Sequence, residues 1–162
     1  MLTIVPYAEA HREALLDLAI RAWEPVFPLM QSAVSPFVYD AFYPDGWRAR
    51  QYADLDEVLA HESESVDVAL DGSDPVGWVC TKMHPEDSMS ELYVIAVDPS
   101  RQREGIARAL MDRSFERGRE AGMLMVMVET GDDPGHAPAR AAYETAGFER
   151  WPVARYFKDL SS

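Results

Sequence analysis

The sequence predicts an α/β domain in which a mixed β-sheet carries helices on both faces. Three observations predict it. Residues 66–97 contain three β-rich runs separated by turn sequences, the first two suited to a hairpin. Residues 89–129 then give a strand, a helix and a second strand, Met123–Glu129. That second strand is almost unbroken in its apolar character, as expected for a parallel strand buried on both faces. The length of 162 residues suits one domain spanning residues 1–162.

The N-terminal elements follow from apolar spacing and from the positions of prolines. Thr3–Tyr7 is predicted to be the first strand, and apolar residues from Glu9 onward recur at helical spacing until Pro25 ends the helix. Residues 25–52 are predicted to form two helices broken around Pro36, and residues 55–62 a further helical turn or two. Seven of the chain's seventeen aromatic residues fall in 25–52. These rings form core or offer a pocket for an ammonium group, and the sequence leaves both uses open.

The later elements are bounded by turns and by glycines at helix ends. Gly122 and Gly147 are predicted to stop two helices, because glycine adopts the left-handed conformation that closes a helix C-terminus. The predicted elements are the strands Val66–Leu70, Val76–Met83, Met89–Val97 and Arg155–Lys158, with helices over residues 105–120 and 138–146.

The charge distribution excludes one class of partner and favours another. The net charge of −13 argues against binding to nucleic acid, which requires a basic surface. Six of the fifteen Lys and Arg residues nevertheless fall in residues 101–119, so an anionic ligand is possible there. Residues 1–70 hold four Lys/Arg against twelve Asp/Glu. This acidic half is expected to attract cationic amines and repel anionic acceptors.

Several features predict a cytoplasmic protein without a metal. No run approaches the ~20 apolar residues of a membrane span, and the N-terminus lacks the basic start and long apolar region of a signal peptide. The single cysteine, Cys80, cannot form an internal disulfide and lies in an apolar run that favours inert core packing. Trp78, on the same predicted hairpin, is expected in the core or on the sheet. His11, His61 and His84 lack the spacing of metal ligands.

Residues 91–107 carry the clearest functional signal. The strand that ends at Val97 is followed by Asp98-Pro99, a short basic loop and a helix that opens at Gly105. Backbone N–H groups at a helix N-terminus point the same way and bind anions, and the small Gly105 and Ala107 allow a phosphate to approach closely. Arg101, Arg103 and Arg108 flank the loop and are predicted to contact phosphate. An Arg108–Asp112 pair on the helix surface is also expected.

Two segments resemble the GNAT superfamily of N-acetyltransferases. The order Gln102-Arg103-Glu104-Gly105-Ile106-Ala107 is similar to its Gln/Arg-x-x-Gly-x-Gly/Ala loop, which holds the pyrophosphate of acetyl-coenzyme A. Residues 138–148 resemble its closing motif, a helix with a tyrosine followed by Gly-Phe. The resemblance covers residues 76–158 and implies the GNAT fold with a curved sheet. It implies acceptor-side elements in residues 1–70 and an acetyl-coenzyme A-binding core in residues 76–158.

The resemblance also implies roles for individual residues. Pantetheine is expected to insert between two diverging parallel strands and to pair with backbone groups of Ile95, Ala96 and Val97, the N–H of Val97 lying near the thioester oxygen. Tyr143 is predicted to be the general acid that protonates the departing thiolate, although ring packing is the competing interpretation. The predicted cofactor-binding set is Ile95, Ala96, Val97, Arg101, Gln102, Arg103, Glu104, Gly105, Ile106, Ala107, Arg108, His136, Ala139 and Tyr143.

The general base is open between several groups. Glu91 begins the strand that leads to the loop, where some relatives keep a glutamate as base, and it is predicted for that role. Glu129, His84 and His136 are alternatives, Glu129 because ligands of open parallel sheets gather at the C-terminal ends of strands. His136 stands where the family more usually has asparagine, and capping of the following helix competes with a catalytic role.

The sequence therefore predicts transfer of an acetyl group from acetyl-coenzyme A to a primary amine of a small, cationic acceptor. Attack is expected to be direct, in a ternary complex, because no nucleophile–base pair is visible. The protein is expected to be a monomer or homodimer. Alternatives are a non-catalytic acyl-coenzyme A sensor, another acyl group, a hydroxyl acceptor, and a protein N-terminus or lysine as acceptor.

Overall fold

The computed structural model describes residues 1–161, which group into two compact units. The first unit comprises residues 1–23 and 51–129 and contains the β-sheet. The second comprises residues 24–50 together with the chain from Thr130 onward. None of the helices in the described part of the chain is long and apolar enough to cross a membrane.

The sheet of the first unit is mixed, as the sequence predicts. Its five strands lie in the order in which they occur in the chain. The first four are antiparallel neighbours, and the fifth runs parallel to the fourth because a helix returns the chain between them. The strands are β1 (Leu2–Pro6), β2 (Val66–Asp71), β3 (Asp74–His84), β4 (Met89–Val97) and β5 (Met125–Met127).

Helices cover both faces of this sheet, and the alternation of residues along β3 shows why. Trp78 and Cys80 point into the main core, where they pack with Leu15 of helix α1 (Arg12–Trp23). The indole N–H of Trp78 donates to the Leu15 carbonyl over 3.2 Å. The intervening residues face helix α5 (Ile106–Glu120) on the other side. There the Thr81 hydroxyl donates to Ser114 over 2.8 Å. The fold is therefore the predicted α/β sandwich.

Two glycines bring α5 close to the sheet. A Cβ on Gly77 of β3 would lie 2.9 Å from the Ala96 carbonyl oxygen and 3.0 Å from Leu110. A Cβ on Gly118 of α5 would lie 2.7 Å from the Ser90 hydroxyl oxygen. Because real Cβ atoms do not approach so closely, only glycine fits at this separation. Gly77 brings the N-terminal part of α5 against the start of β3, and Gly118 brings its C-terminal end against the start of β4.

The second unit is built from short helices around aromatic rings. It contains α2 (Val26–Ala33), α3 (Pro36–Phe42), the start of α4 (Trp47–His61) and α6 (Ala137–Thr145). The Phe27 ring stacks on Trp47 with centroids 4.4 Å apart, and Tyr43 meets Phe27 edge-on. The helices α2 and α3 confirm the predicted break before Pro36, where proline takes the first helical position.

Three predicted elements differ from the structure. Helix α4 begins at Trp47 and is 15 residues long, rather than a turn or two, because residues 47–54 include good helix formers that the proline-rich context obscured. Strand β5 covers Met125–Met127 only, and Met125 is 55% exposed. The expectation of burial on both faces was wrong because β5 is the edge strand. Residues 155–158 form no strand and have no place in the described sheet.

Candidate functional site

The loop after β4 is fixed at its first residue. Asp98 accepts hydrogen bonds from the Ser100 backbone N–H over 2.9 Å and from the Ser100 hydroxyl over 2.7 Å, which closes a short 3₁₀ turn at Pro99. Arg21 of α1 donates to both Asp98 oxygens, over 3.0 and 3.2 Å. The guanidinium is the main reason that the pKa of Asp98 lies far below its usual value. The Asp-Pro turn was visible in the sequence, whereas Arg21 was missed because nothing local marks a partner 77 positions away.

The loop ends at an open helix N-terminus. Gly105 has φ +80°, a left-handed conformation that suits glycine, and Arg103 has φ +65°, which is uncommon for a residue with a side chain. The first bond of the helix runs from the Ala109 N–H to the Gly105 carbonyl. The N–H groups of residues 106–108 therefore have no intrahelical acceptor, and no side chain at Gly105 caps them. A Cβ on Gly105 would meet no described atom within 4 Å, so the approach to these groups is open.

The three arginines around the loop differ in their partners. Arg101 donates to Glu104 over 2.8 Å and to Asp71 over 3.0 Å, so its charge is already balanced. Arg108 donates to Asp112 over 2.9 Å, which confirms the predicted helix-surface pair. Arg103 is exposed and forms no ion pair or hydrogen bond with residues 1–161. Of the three, Arg103 is the guanidinium with its charge available to an incoming anion.

Strand β4 presents an unpaired edge next to this loop. Its pairing with β5 covers Met89–Glu91 and then stops, so residues 92–97 have no strand on that side within the described chain. On its other side β4 stays paired with β3 as far as Val97, and one extra residue, Tyr93, makes a bulge between Leu92 and Val94. The side chain of Ala96 is buried in the core, while Ile95 and Val97 are half-buried. Free backbone groups along such an edge accept an added extended chain.

Glu91 lies at the start of this edge and is held by a histidine. Its carboxylate, 17% exposed, is 2.8 Å from Nε2 of His84 on β3. The two residues are diagonal neighbours across the hairpin, since Glu91 lies opposite Lys82 in the register. The hydrogen bond to Glu91 is the main reason that the pKa of His84 is raised above its usual value. The sequence suggested both residues as bases, but not that they are partners.

Tyr143 is positioned by the helix end that follows it. The Phe148 N–H donates to the Tyr143 carbonyl and the Gly147 N–H to the Glu144 carbonyl, both over 3.1 Å, with Gly147 at φ +97°. This is a Schellman cap, and its usual apolar contact is the edge-on packing of the Tyr143 and Phe148 rings, 5.7 Å apart. Burial raises the pKa of the Tyr143 hydroxyl, so the group remains protonated at neutral pH. Ala139 is half-buried one turn earlier on the same helix.

His136 precedes this helix in a tightly bonded loop. Its Nδ1 is 2.6 Å from an Asp133 carboxylate oxygen, and the other Asp133 oxygen accepts from the Gly135 N–H over 2.9 Å. Arg140 donates to the backbone carbonyls of Gly131 and Asp133, both over 2.7 Å. These hydrogen bonds fix the conformation of the loop that contains His136. The predicted contact of His136 with the cofactor stays a prediction.

The other candidate residues are accounted for by their surroundings. Cys80 is fully buried, which confirms the predicted core packing, and burial raises the pKa of its thiol to about 12. Trp78 is fully buried in the core, as expected. Glu129 is exposed and lies two residues beyond the end of β5, because that strand is shorter than predicted. The aromatic rings of residues 25–52 largely contact one another, and Arg48 lies over the Trp47 ring at 4.7 Å.

Comparisons with known proteins place the chain among acetyltransferases. Residues 23–148 match the acetyltransferase (GNAT) family. A mycothiol acetyltransferase from Kocuria rhizophila is 34% identical over 93 residues, which cover 53% of this chain and 30% of that protein. The PaiA N-acetyltransferase of Thermoplasma acidophilum, solved with coenzyme A, superposes with a TM-score of 0.72 at 14% identity over 95% of this chain and 93% of its own. An aminoglycoside N-acetyltransferase solved with coenzyme A gives a TM-score of 0.59 at 15% identity, over 99% and 95% of the two chains.

The chain belongs to the acetyltransferase (GNAT) family, since the match covers most of its length. The two solved structures support the fold, which is the one that the sequence resemblance implied. The matched segment spans less than a third of the length of the mycothiol acetyltransferase.

Proposed function

We propose that this protein transfers an acetyl group from acetyl-coenzyme A to the primary amine of a small cationic acceptor. The observation that carries the proposal is the unpaired edge of β4, which runs from Glu91 to a helix N-terminus with free N–H groups. A pantetheine chain terminated by a pyrophosphate matches these two features in order. Acetyl-coenzyme A supplies the activated thioester. The residues of this chain bind the co-substrate, accept the proton of the amine and donate a proton to the thiolate.

The residues present fit such a co-substrate. Free N–H groups at residues 106–108 and the unpaired Arg103 suit the two charges of a pyrophosphate. Unpaired backbone groups of residues 92–97, including Ile95 and Val97, suit the amides of pantetheine. We assign to Gln102 and Glu104 only a place in the loop, since Glu104 is engaged by Arg101.

A cationic acceptor is favoured by the charges around Glu91. The side chains near it on the same face include the carboxylates of Glu62 and Glu86 and the ammonium of Lys82. Lys82 is already 3.6 Å from a Glu62 oxygen and lies over the Tyr93 ring. The excess of carboxylate attracts an ammonium and disfavours an anionic acceptor. The mycothiol and aminoglycoside acetyltransferases that resemble this chain are named for small molecules, which supports a small acceptor.

Two side chains are assigned to proton transfer. Glu91 accepts the proton that the acceptor ammonium must lose, because a protonated amine has no lone pair with which to attack the thioester. Tyr143 donates a proton to the departing thiolate, a role that its protonated state at neutral pH permits. The attack is direct in a ternary complex, since Cys80 is buried and protonated and no activated nucleophile is present among the described residues.

Binding and turnover are tested separately. Acetyl-coenzyme A at about 100 times its dissociation constant should add roughly 2.7 kcal/mol to the stability, which raises the melting temperature by roughly 5–11 °C. Replacement of Gly105 by Val should abolish this rise. Replacement of Gly122 by Val is the matched control, because Gly122 has a similar φ of +77° at the opposite end of α5.

Turnover is measured as release of free thiol with a panel of cationic amines, neutral hydroxyl compounds and acidic amino acids. We expect the cationic amines to react fastest, and added salt to slow them by screening the acidic surface. Binding without thiol release from any acceptor would favour a sensor instead of an enzyme. Preference for a hydroxyl or an anionic acceptor would overturn the assignment of the substrate class.

A further inference from the structure

His84 and Glu91 form a hydrogen-bonded pair on the sheet face that turns away from α5. Their neighbours Thr81 and Ser90 point to the α5 side, where Thr81 bonds Ser114 and Ser90 lies against Gly118. The imidazole Nε2 and a Glu91 carboxylate oxygen are 2.8 Å apart. The His84 side chain is 31% exposed and that of Glu91 17%, so the pair extends from a partly buried carboxylate to a solvent-accessible ring.

The groups that face His84 are carboxylates. Glu91 contacts it from β4, and an oxygen of Glu86, in the 3₁₀ turn Pro85–Asp87, is 3.6 Å from Nδ1. On its own strand, Lys82 is directed instead to Glu62 and to the Tyr93 ring. These two carboxylates stabilise the imidazolium, and the pKa of His84 is raised chiefly by the bond to Glu91.

We propose that His84 and Glu91 act together as the proton acceptor of the acetyl transfer. In the accepting state the neutral ring carries its hydrogen on Nδ1, which faces Glu86, so the lone pair of Nε2 is free. The proton that leaves the acceptor ammonium passes to the Glu91 carboxylate and comes to rest on His84 Nε2. The N–H bond of the ammonium breaks with its electron pair left on the amine nitrogen, and a new N–H bond forms on the imidazole. The imidazolium then releases one proton to solvent, which restores the neutral ring.

This pairing raises the basicity of the proton acceptor to a level that suits deprotonation of an ammonium group. An ordinary glutamate has a pKa of about 4.3 and is a weak base towards an ammonium group, whereas imidazole titrates near 6.5. Bases work best when their pKa lies near the working pH. A neutral imidazole beside Glu91 therefore makes the carboxylate part of a stronger proton acceptor, and the proton it takes up lies in the hydrogen bond between the two groups. The inference rests on the proposed function, because it assigns to His84 the proton that Glu91 takes.

The first test is the pH dependence of kcat/KM with a reactive amine. The pair accepts a proton only when His84 is neutral and Glu91 is ionised, which is the form above the pKa of the pair. The value of kcat/KM should therefore rise with pH, and in the wild type this rise should lie above pH 6.5. His84→Asn should lower kcat/KM at neutral pH by about tenfold or more and move this rise to lower pH. The amine itself titrates identically in all variants, so differences between variants report the pair. His61→Asn, an exposed histidine at the end of α4, is the matched control and should leave the profile unchanged.

The second test reads the pair without turnover. The ring resonances of His84, identified by their loss in His84→Asn, should titrate above pH 6.5 and shift to lower pH in Glu91→Gln. Amine acetylation with an unaltered pH profile in His84→Asn would overturn this inference and leave the proposed function standing. A His84 titration that Glu91→Gln does not move would also overturn it. Absence of acetylation by the folded wild type would instead contradict the proposed function.

Discussion

The arginines around the cofactor loop allow a sharp test, because the structure separates them by their partners. Arg101 is engaged by Glu104 and Asp71, and Arg108 by Asp112, whereas Arg103 has no partner among the described residues. A guanidinium that is already paired gains little from a phosphate, since it must give up one carboxylate to reach the other anion. We therefore expect Arg103 to dominate the electrostatic contribution to coenzyme A affinity.

The magnitude follows from the strength of a charge-assisted hydrogen bond. Such bonds contribute about 1.5–3 kcal/mol, so Arg103→Gln should raise the Kd for coenzyme A by about 10- to 150-fold. Gln preserves most of the side-chain length and removes the charge, and Arg103→Lys should recover part of the affinity. Arg101→Gln should change the Kd by no more than about threefold and lower the melting temperature instead, because its exposed ion pairs serve the fold.

Isothermal titration calorimetry with coenzyme A at two salt concentrations is the assay. Loss of Arg103 should also flatten the salt dependence of binding, since one screened charge pair is removed. Pantetheine, which lacks the pyrophosphate, should bind the wild type and Arg103→Gln equally. The reasoning is refuted if Arg103→Gln binds coenzyme A as tightly as the wild type while Arg101→Gln weakens binding tenfold.

Two further predictions concern the helix end and the sheet packing. Tyr143→Phe should lower the rate of acetyl transfer by about 10²–10⁴-fold in single-turnover measurements. It should leave coenzyme A affinity unchanged, because the ring and its contact with Phe148 remain. An unaltered rate would reassign Tyr143 to packing. Gly77→Ala should lower the free energy of unfolding by about 1–3 kcal/mol, measured by thermal unfolding, because its Cβ would lie 2.9 Å from the Ala96 carbonyl oxygen. Gly72→Asn is the near-neutral control, because a Cβ there meets no atom within 4 Å and asparagine tolerates the φ of +62°.

Two further arginines of α5 bind the sheet instead of the loop. Arg113 and Arg117 both reach the buried carboxylate of Asp67 on β2, Arg117 over 2.6 Å. That carboxylate is 2% exposed and is tolerated because two guanidiniums surround it. These arginines hold α5 to the sheet and add nothing to the charge at the loop.

The sequence by itself determined the elements whose signals lie within a few residues of each other. Strand β4 has the predicted bounds, Met89–Val97, because an apolar run stops at Asp98-Pro99. The ends of α5 and α6 were predictable from Gly122 and Gly147, since a left-handed residue is required where a Schellman cap closes a helix. The order of these elements, together with the loop before α5, was enough to predict the family.

Only the tertiary structure decided which side chains meet across the sheet. The partnership of His84 with Glu91 depends on the β3–β4 register, and the bulge at Tyr93 shifts that register by one residue within the same hairpin. The difference between the two loop arginines is likewise tertiary, because Asp71, about 30 positions earlier in the chain, brings its carboxylate to Arg101 and not to Arg103. Local spacing encodes turns and helix ends, whereas contacts between distant residues exist only after the strands have paired and the helices have packed on them.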